Sequence, residues 1–385
     1  MNQLSSASFS DSKKHYEILD GLRGVAAVLV VMFHIFETFT LGDNVKQIIN
    51  HGYLAVDFFF VLSGFVIGYA YDDRWNKMTI GGFFKRRLIR LHPMIIIAMI
   101  IGAATYYLQD CQYFPFIQET PVWKLLLVML IGFTLIPVGG SLEIRGWTEM
   151  HPLNGPAWTL FFEYIGNVLY GLFVRKFSKT LLAILVILAG AALVHLSVKQ
   201  GDVIGGWSVA PEQLRIGFTR LLYPFFAGLL LSRLVKPGKI KNAFLWCSLL
   251  LIIVFAVPRI GGYDHKWMNG LYVAVSIIFI FPLIVYMGAS GKVTGKFSSK
   301  LCRFLGDISY PIYIIHYPFI YMYTAWVVNN RTYLEEASAG AILTLVLVSV
   351  LTLVVSIAVA WVSFKFYDVP VRNWLAKRLM KSQYN

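Results

Sequence analysis

Charge is what this chain has least of. Only 14% of its 385 residues are Asp, Glu, Lys or Arg, where a soluble globular protein carries roughly 25%. Against that stand 57% hydrophobic residues and a mean hydropathy of +0.65. A water-soluble fold of this length lacks the polar surface to cover itself, so a soluble enzyme is excluded. Cysteine is scarce too. Cys111, Cys247 and Cys302 have no paired spacing, so neither a disulfide framework nor a metal knuckle is read, and no metal is expected. The chain also lacks an internal repeat, a Gly/Ser linker and a low-complexity tract. No small-residue cleavage site follows the first apolar run, so that run is expected to stay as a helix.

What the chain has is long apolar runs. They lie near 22–40, 53–70, 88–108, 122–138, 157–174, 180–197, 216–234, 243–258, 269–288, 305–327 and 340–364. Runs of 17 or more residues cross a hydrocarbon core of about 30 Å as helices. The expectation is an all-α, polytopic membrane helix bundle. Its net charge of +14 fits basic loops held on the cytoplasmic side better than a nucleic-acid partner.

Lys13, Lys14 and Arg23 precede or open the first helix, and Lys77, Lys85, Arg86, Arg87 and Arg90 lie between the second and third. Both sets read as cytoplasmic. The later basic stretches, 175–179, 233–241, 292–303 and 365–381, join them only if 122–138 does not span. That segment is short, starts beside Lys124 and ends at Pro137, which suits a partial or re-entrant insertion. About ten transmembrane helices are therefore expected, with both termini cytoplasmic, in the cytoplasmic (inner) membrane. The chain divides into a cytoplasmic tail 1–19, a membrane domain 20–366 and a cytoplasmic tail 367–385. The outer connection 109–156 is aromatic and weakly acidic, which suits a carbohydrate or an interface belt.

Ionisable groups inside a span are costly, and each is a site candidate. His34 follows Arg23 by eleven residues, about 20° of rotation and about 16 Å of rise on a helix. The two share one face, with Arg23 at the cytoplasmic mouth. Asp57 in the second helix lies near the depth of His34 and is its expected partner. Gly64, one heptad on, offers close approach to a helix or a ligand, and Ser63 precedes it. Arg86, Arg87 and Arg90 cover an arc of about 100°; they read as a positive-inside anchor or as a phosphate clamp. Trp158 and Glu163 open a further segment, where Glu163 is a catalytic candidate or a lone carboxylate paired across helices. Ser309, Tyr313 and His316 form a helical stripe. Gly306-Asp307-Ile308-Ser309 is similar to a hydrolase signature, but it sits at a membrane boundary with no soluble fold around it and is set aside.

Taken together, these motifs resemble the acyltransferase 3 family of integral membrane O-acyltransferases. The resemblance rests on Leu19-Asp20-Gly21-Leu22-Arg23-Gly24 followed by His34, on Val56 to Phe65, on Arg86-Arg87-Leu88-Ile89-Arg90 and on Trp158 to Glu163. Ser309 to His316 and Tyr367 to Arg372 look like its closing motifs; Asp368 stands where many members carry Glu. The resemblance covers about residues 16 to 375. It implies transfer of an acyl group, most often acetyl, from cytoplasmic acyl-coenzyme A to a hydroxyl of a glycan or related acceptor outside the membrane. The Arg-ten-residues-His motif maps onto Arg23 and His34, and Arg-Arg-x-x-Arg onto Arg86, Arg87 and Arg90.

Acyl transfer to an alcohol needs a base, and a neutral histidine suits that role near pH 7. His34 is the expected base and Asp57 its orienting acid; an acyl-histidine intermediate is the other route. The arginines would hold coenzyme A phosphates. Two rivals remain: a transporter or flippase of a lipid-linked glycan with a polar midplane path, and a structural partner in an envelope complex.

Overall fold

The computed structural model describes residues 15–293 and 295–380. Lys13, Lys14 and Lys381, and with them most of the expected N-terminal tail, lie outside the described residues. The described chain is helical, with no β-strand. In a bilayer that is the expected solution, because a helix satisfies its own backbone hydrogen bonds.

The first helices are α1 (Glu17–Thr40), α2 (Ala55–Tyr71), α3 (Ile80–Ala104), α4 (Val122–Phe133) and α5 (Ala157–Leu172). They are followed by α6 (Lys179–Gln200), α7 (Pro211–Leu234) and α8 (Ala243–Ala256). A π turn joins α9 (Lys266–Val275) to α10 (Phe281–Ser290) as one rod. After α11 (Lys296–Asn329) and the one-turn α12 (Arg331–Glu335), a second π turn joins α13 (Ala339–Ser363) to α14 (Val369–Leu379). Each apolar run has its helix.

Seven of these rods are long and apolar enough to cross a membrane: α1, α2 with its 3-10 lead-in, α3, α6, α7, α9–α10 and α13–α14. The chain is a multi-pass membrane protein. α5 and α8 have only 16 and 14 residues. The 34-residue α11 carries a polar stripe, Ser309, Tyr313, His316, Tyr321 and Thr324, that neighbours bury almost completely. From Ile308 to Val327 its surroundings are protein.

The α4 segment has 12 residues, about 18 Å of helix, too short for a hydrocarbon core. Chain direction agrees. α3 and α5 run antiparallel, since Phe83 packs on Gly171 while Arg87 reaches Glu163. The chain therefore leaves α3 and enters α5 at the same end of the bundle, so α4 does not cross it.

Two close crossings set the bundle. α1 and α11 run parallel, from Gly24 against Leu305 to Thr38 Oγ1 within 3.1 Å of Thr324 Oγ1. A Cβ at Gly24 would stand 2.2 Å from Leu305 O. α2 and α7 are also parallel and cross backbone to backbone. A Cβ at Gly64 would lie 2.0 Å from Phe225 O, and one at Gly228 2.0 Å from Val61 O. Small residues allow such contact where packing drives helix association.

Candidate active site

The parallel contact of α1 with α11 brings two histidines together. His34 Nδ1 lies 2.7 Å from Glu37 Oε2, one turn along α1. Its ring stacks on that of His316, with centroids 5.6 Å apart, and Tyr317 meets it edge-on at 4.9 Å. A carboxylate on Nδ1 holds the proton there and leaves Nε2 as the basic nitrogen. His34 is partly exposed and His316 fully buried. Chemically, such a pair can serve as a base and its orienting acid.

Asp57 is not that acid. Its two oxygens take Arg220 Nη2 at 2.7 Å and Nε at 3.3 Å, in a pair that is almost wholly buried. Arg220 also donates to Tyr53 O at 2.8 Å and lies over the Trp158 ring at 5.3 Å. Equal depth is the expectation for Asp57 and His34, but Gly52 already stands against Phe33, so Asp57 lies further along α2, where it meets α7. The expectation for Asp57 is corrected to a structural ion pair, and Trp158 is part of its wall.

Gly64 has no room for a ligand, because the α7 backbone covers it; its binding role is corrected to helix packing. Ser63 Oγ donates to Glu163 Oε1 at 3.1 Å, and Arg87 Nη2 donates to the same oxygen at 2.7 Å. Arg87 is thus buried against a partner within the bundle, whereas Arg90 is exposed and Arg86 half-buried. The expected clamp of three divides. Arg87 ties α3 to α5, and Arg86 and Arg90 stay toward the basic end.

At that end Arg23 Nη1 donates to Asp20 Oδ1 at 3.1 Å. α14 packs on α3 and adds an ion pair of 3.0 Å between Arg372 and Asp368. Among the described residues, no group of three or more His, Cys, Asp or Glu is arranged to hold a metal. The three cysteines are buried and unpaired.

The 109–156 connection is folded onto the other end of α11. Fully buried Arg145 donates to Pro152 O at 3.0 Å and to Gln109 Oε1 at 2.8 Å, and stacks on Tyr321 at 3.5 Å. Tyr321 OH donates to Glu149 Oε2 at 2.6 Å. Burial pushes the Glu149 carboxyl up to about 7, against the pull of the Arg145 guanidinium. Tyr321 in turn packs against Tyr317 at 4.6 Å, so the connection braces the wall beside His34. Tyr313 sits deeper, with its hydroxyl 3.0 Å from Thr159 Oγ1.

Sequence reasoning missed Glu37, Arg220, Arg145 and Glu149. Glu37 was findable, because residues three apart on a helix are neighbours. Arg220 was findable as an ionisable residue inside a span. Arg145 and Glu149 lie in irregular chain that carries no period.

The family model described as "Acyltransferase domain", acyltransferase 3, matches residues 16–361. A Rhizobium radiobacter protein described as "Protein 2 in picA locus" is 34% identical over 168 residues, covering 41% of this chain and 81% of that protein. O-acetyltransferase OatA of Staphylococcus aureus is 21% identical over 382 residues, covering 94% of this chain and 58% of its own. Peptidoglycan O-acetyltransferase OatA of Listeria monocytogenes is 23% identical over 379 residues, covering 94% and 56%. The chain spans little more than half the length of these two. No solved structure matches it. The family match takes in the His34–Glu37 pair, Arg87–Glu163 and His316 together, and the chain belongs to the acyltransferase 3 family.

Proposed function

We propose that this protein is a membrane O-acyltransferase that moves an acyl group, acetyl first, from cytoplasmic acyl-coenzyme A to a hydroxyl of a cell-envelope glycan. The observation that carries the reading is the His34–Glu37 pair at 2.7 Å, set on the same helix about three turns from Arg23. The similarity to O-acetyltransferases over 94% of the chain supports the reaction class. His34 Nε2 takes the hydroxyl proton as oxygen attacks the thioester, and Glu37 stabilises the imidazolium. The thiolate leaves and recovers that proton. Direct transfer needs no covalent enzyme intermediate. Glu163, held by Arg87 and Ser63, positions the donor passage between α2, α3 and α5. Transporters are commonly built on broken helices paired in two halves; among the described residues the two π turns fall in α9–α10 and α13–α14.

The donor site is the basic end, where Arg23, Arg86 and Arg90 present guanidinium forks suited to phosphate. Changing Arg86 and Arg90 to Gln is expected to weaken acetyl-coenzyme A binding. Each lost charge-assisted bond is worth about 1.5–3 kcal/mol, while thermal stability in detergent stays near wild type. Adding Arg87→Gln should also destabilise the fold, because Glu163 then loses its buried partner. Unchanged affinity in the double variant would return these residues to a topology role.

The proposed topology has ten crossings, α1, α2, α3, α5, α6, α7, α8, α9–α10, α11 and α13, with both termini cytoplasmic in the inner membrane. Single cysteines at Asn44, Gly140, Asp202, Tyr263 and Asn330 are expected to label from outside. Those at Asn76, Ser178, Lys239 and Lys296 should label only after permeabilisation. Labelling of position 178 from outside would contradict the direction of α5.

A further inference from the structure

His316 makes one hydrogen bond and leaves one open. Its Nδ1–H donates to Ile312 O at 2.9 Å, one turn back on α11. That bond fixes the tautomer, so Nε2 carries a lone pair. Nε2 is buried and has no hydrogen-bond partner among the described residues. The neighbouring hydroxyl, that of Tyr313, is taken up with Thr159 Oγ1. An unpaired buried acceptor destabilises a fold. A phenylalanine would stack on His34 without that penalty, so packing alone does not account for histidine here.

The adjoining ring has the same pattern. His34 Nδ1 is occupied by Glu37, and its open nitrogen is again Nε2. Two stacked imidazoles, 26° from parallel with centroids 5.6 Å apart, thus each leave an acceptor nitrogen open. One hydroxyl has one proton and cannot satisfy both. Two neighbouring hydroxyls can, each reaching its nitrogen across about 2.7–3.2 Å.

We propose that His316 Nε2 binds the hydroxyl adjacent to the one that reacts, so that the acceptor is a vicinal diol rather than an isolated alcohol. The inference rests on the acyl-transfer reading and narrows its substrate. In the step itself, the reacting O–H gives its proton to His34 Nε2 and its oxygen bonds to the thioester carbon. The C–S bond then breaks, and the thiolate takes the proton from His34. His316 makes and breaks no covalent bond. It stays neutral beside the transient imidazolium, where a second cation would be repelled. Tyr317, edge-on to both rings at 4.9 and 5.7 Å, keeps them apart from the Glu149 brace.

The test uses the purified full-length chain, acetyl-coenzyme A and two soluble acceptors: a methyl glycoside with adjacent free hydroxyls and its monodeoxy counterpart. Wild type should prefer the diol by at least about tenfold in kcat/KM, as sites built to bind a hydroxyl reject analogues that lack it. His316→Phe should raise KM for the diol and erase that preference, with acetyl-coenzyme A affinity near wild type. His316→Gln, which keeps an acceptor atom, should restore part of the preference. A wild type that acylates both compounds equally overturns the diol inference and leaves acyl transfer standing. So does a folded His316→Phe that keeps the preference. A wild type that acylates neither overturns both. The wild-type comparison needs no variant, so a misfolded His316→Phe does not rescue the idea.

Discussion

Replacing His34 with alanine is expected to lower acyl transfer by about 10²–10⁴, the usual effect of losing a general base. Donor binding should barely change. His34 stands about 16 Å along α1 from Arg23, too far to touch phosphates held at the basic end. The fold should survive as well, since His34 is partly exposed and its one side-chain bond, to Glu37, is local to α1. Glu37→Gln tests the second half of the pair. An amide can still bond to Nδ1 but does not stabilise the imidazolium as a carboxylate does, so kcat should fall while KM for the donor holds. Initial rates and coenzyme A binding on the same detergent-stable samples check both. A drop of only a few-fold in His34→Ala would make His34 a packing residue.

The second large effect is on stability. Asp57→Asn or Arg220→Met should each destabilise the protein by about 3–5 kcal/mol, because either leaves a buried charge without its partner. The pair is dry: Arg220 is 2% exposed and Asp57 0%. Changing both, to Leu at 57 and Met at 220, should recover most of that loss, as apolar replacements of buried pairs are often neutral. Thermal unfolding of the three variants in one detergent measures this. If Asp57→Asn is as stable as wild type yet inactive, Asp57 acts in the chemistry after all.

Much of the architecture could be read from the sequence for a physical reason. A membrane segment must be apolar and must satisfy its own backbone, so hydropathy located every helix except α12 and α14, and loop charge marked 122–138 as partial. Partners across helices were not readable in this way. Asp57 is expected beside His34, but Gly52 already stands against Phe33, and the crossing of Gly64 with Gly228 sets α2 so that Asp57 meets Arg220. Local spacing would have found Glu37, three residues from His34. Arg87 looked like one of three equivalent arginines; only the position of α5 separates it, by supplying Glu163. The brace of Arg145, Glu149 and Tyr321 depends on tertiary packing of irregular chain onto α11. No periodicity encodes it.

The central claim is that this bundle performs acyl transfer, with His34 as the base. The most direct measurement incubates purified protein with acetyl-coenzyme A labelled in the acetyl group and a hydroxyl-rich envelope glycan. Thioester loss and label on the glycan are then counted for wild type and His34→Ala side by side. The account predicts equal thioester loss and glycan label for wild type, and neither above background for the variant. Folded wild type that binds acetyl-coenzyme A but leaves the glycan unlabelled would contradict it.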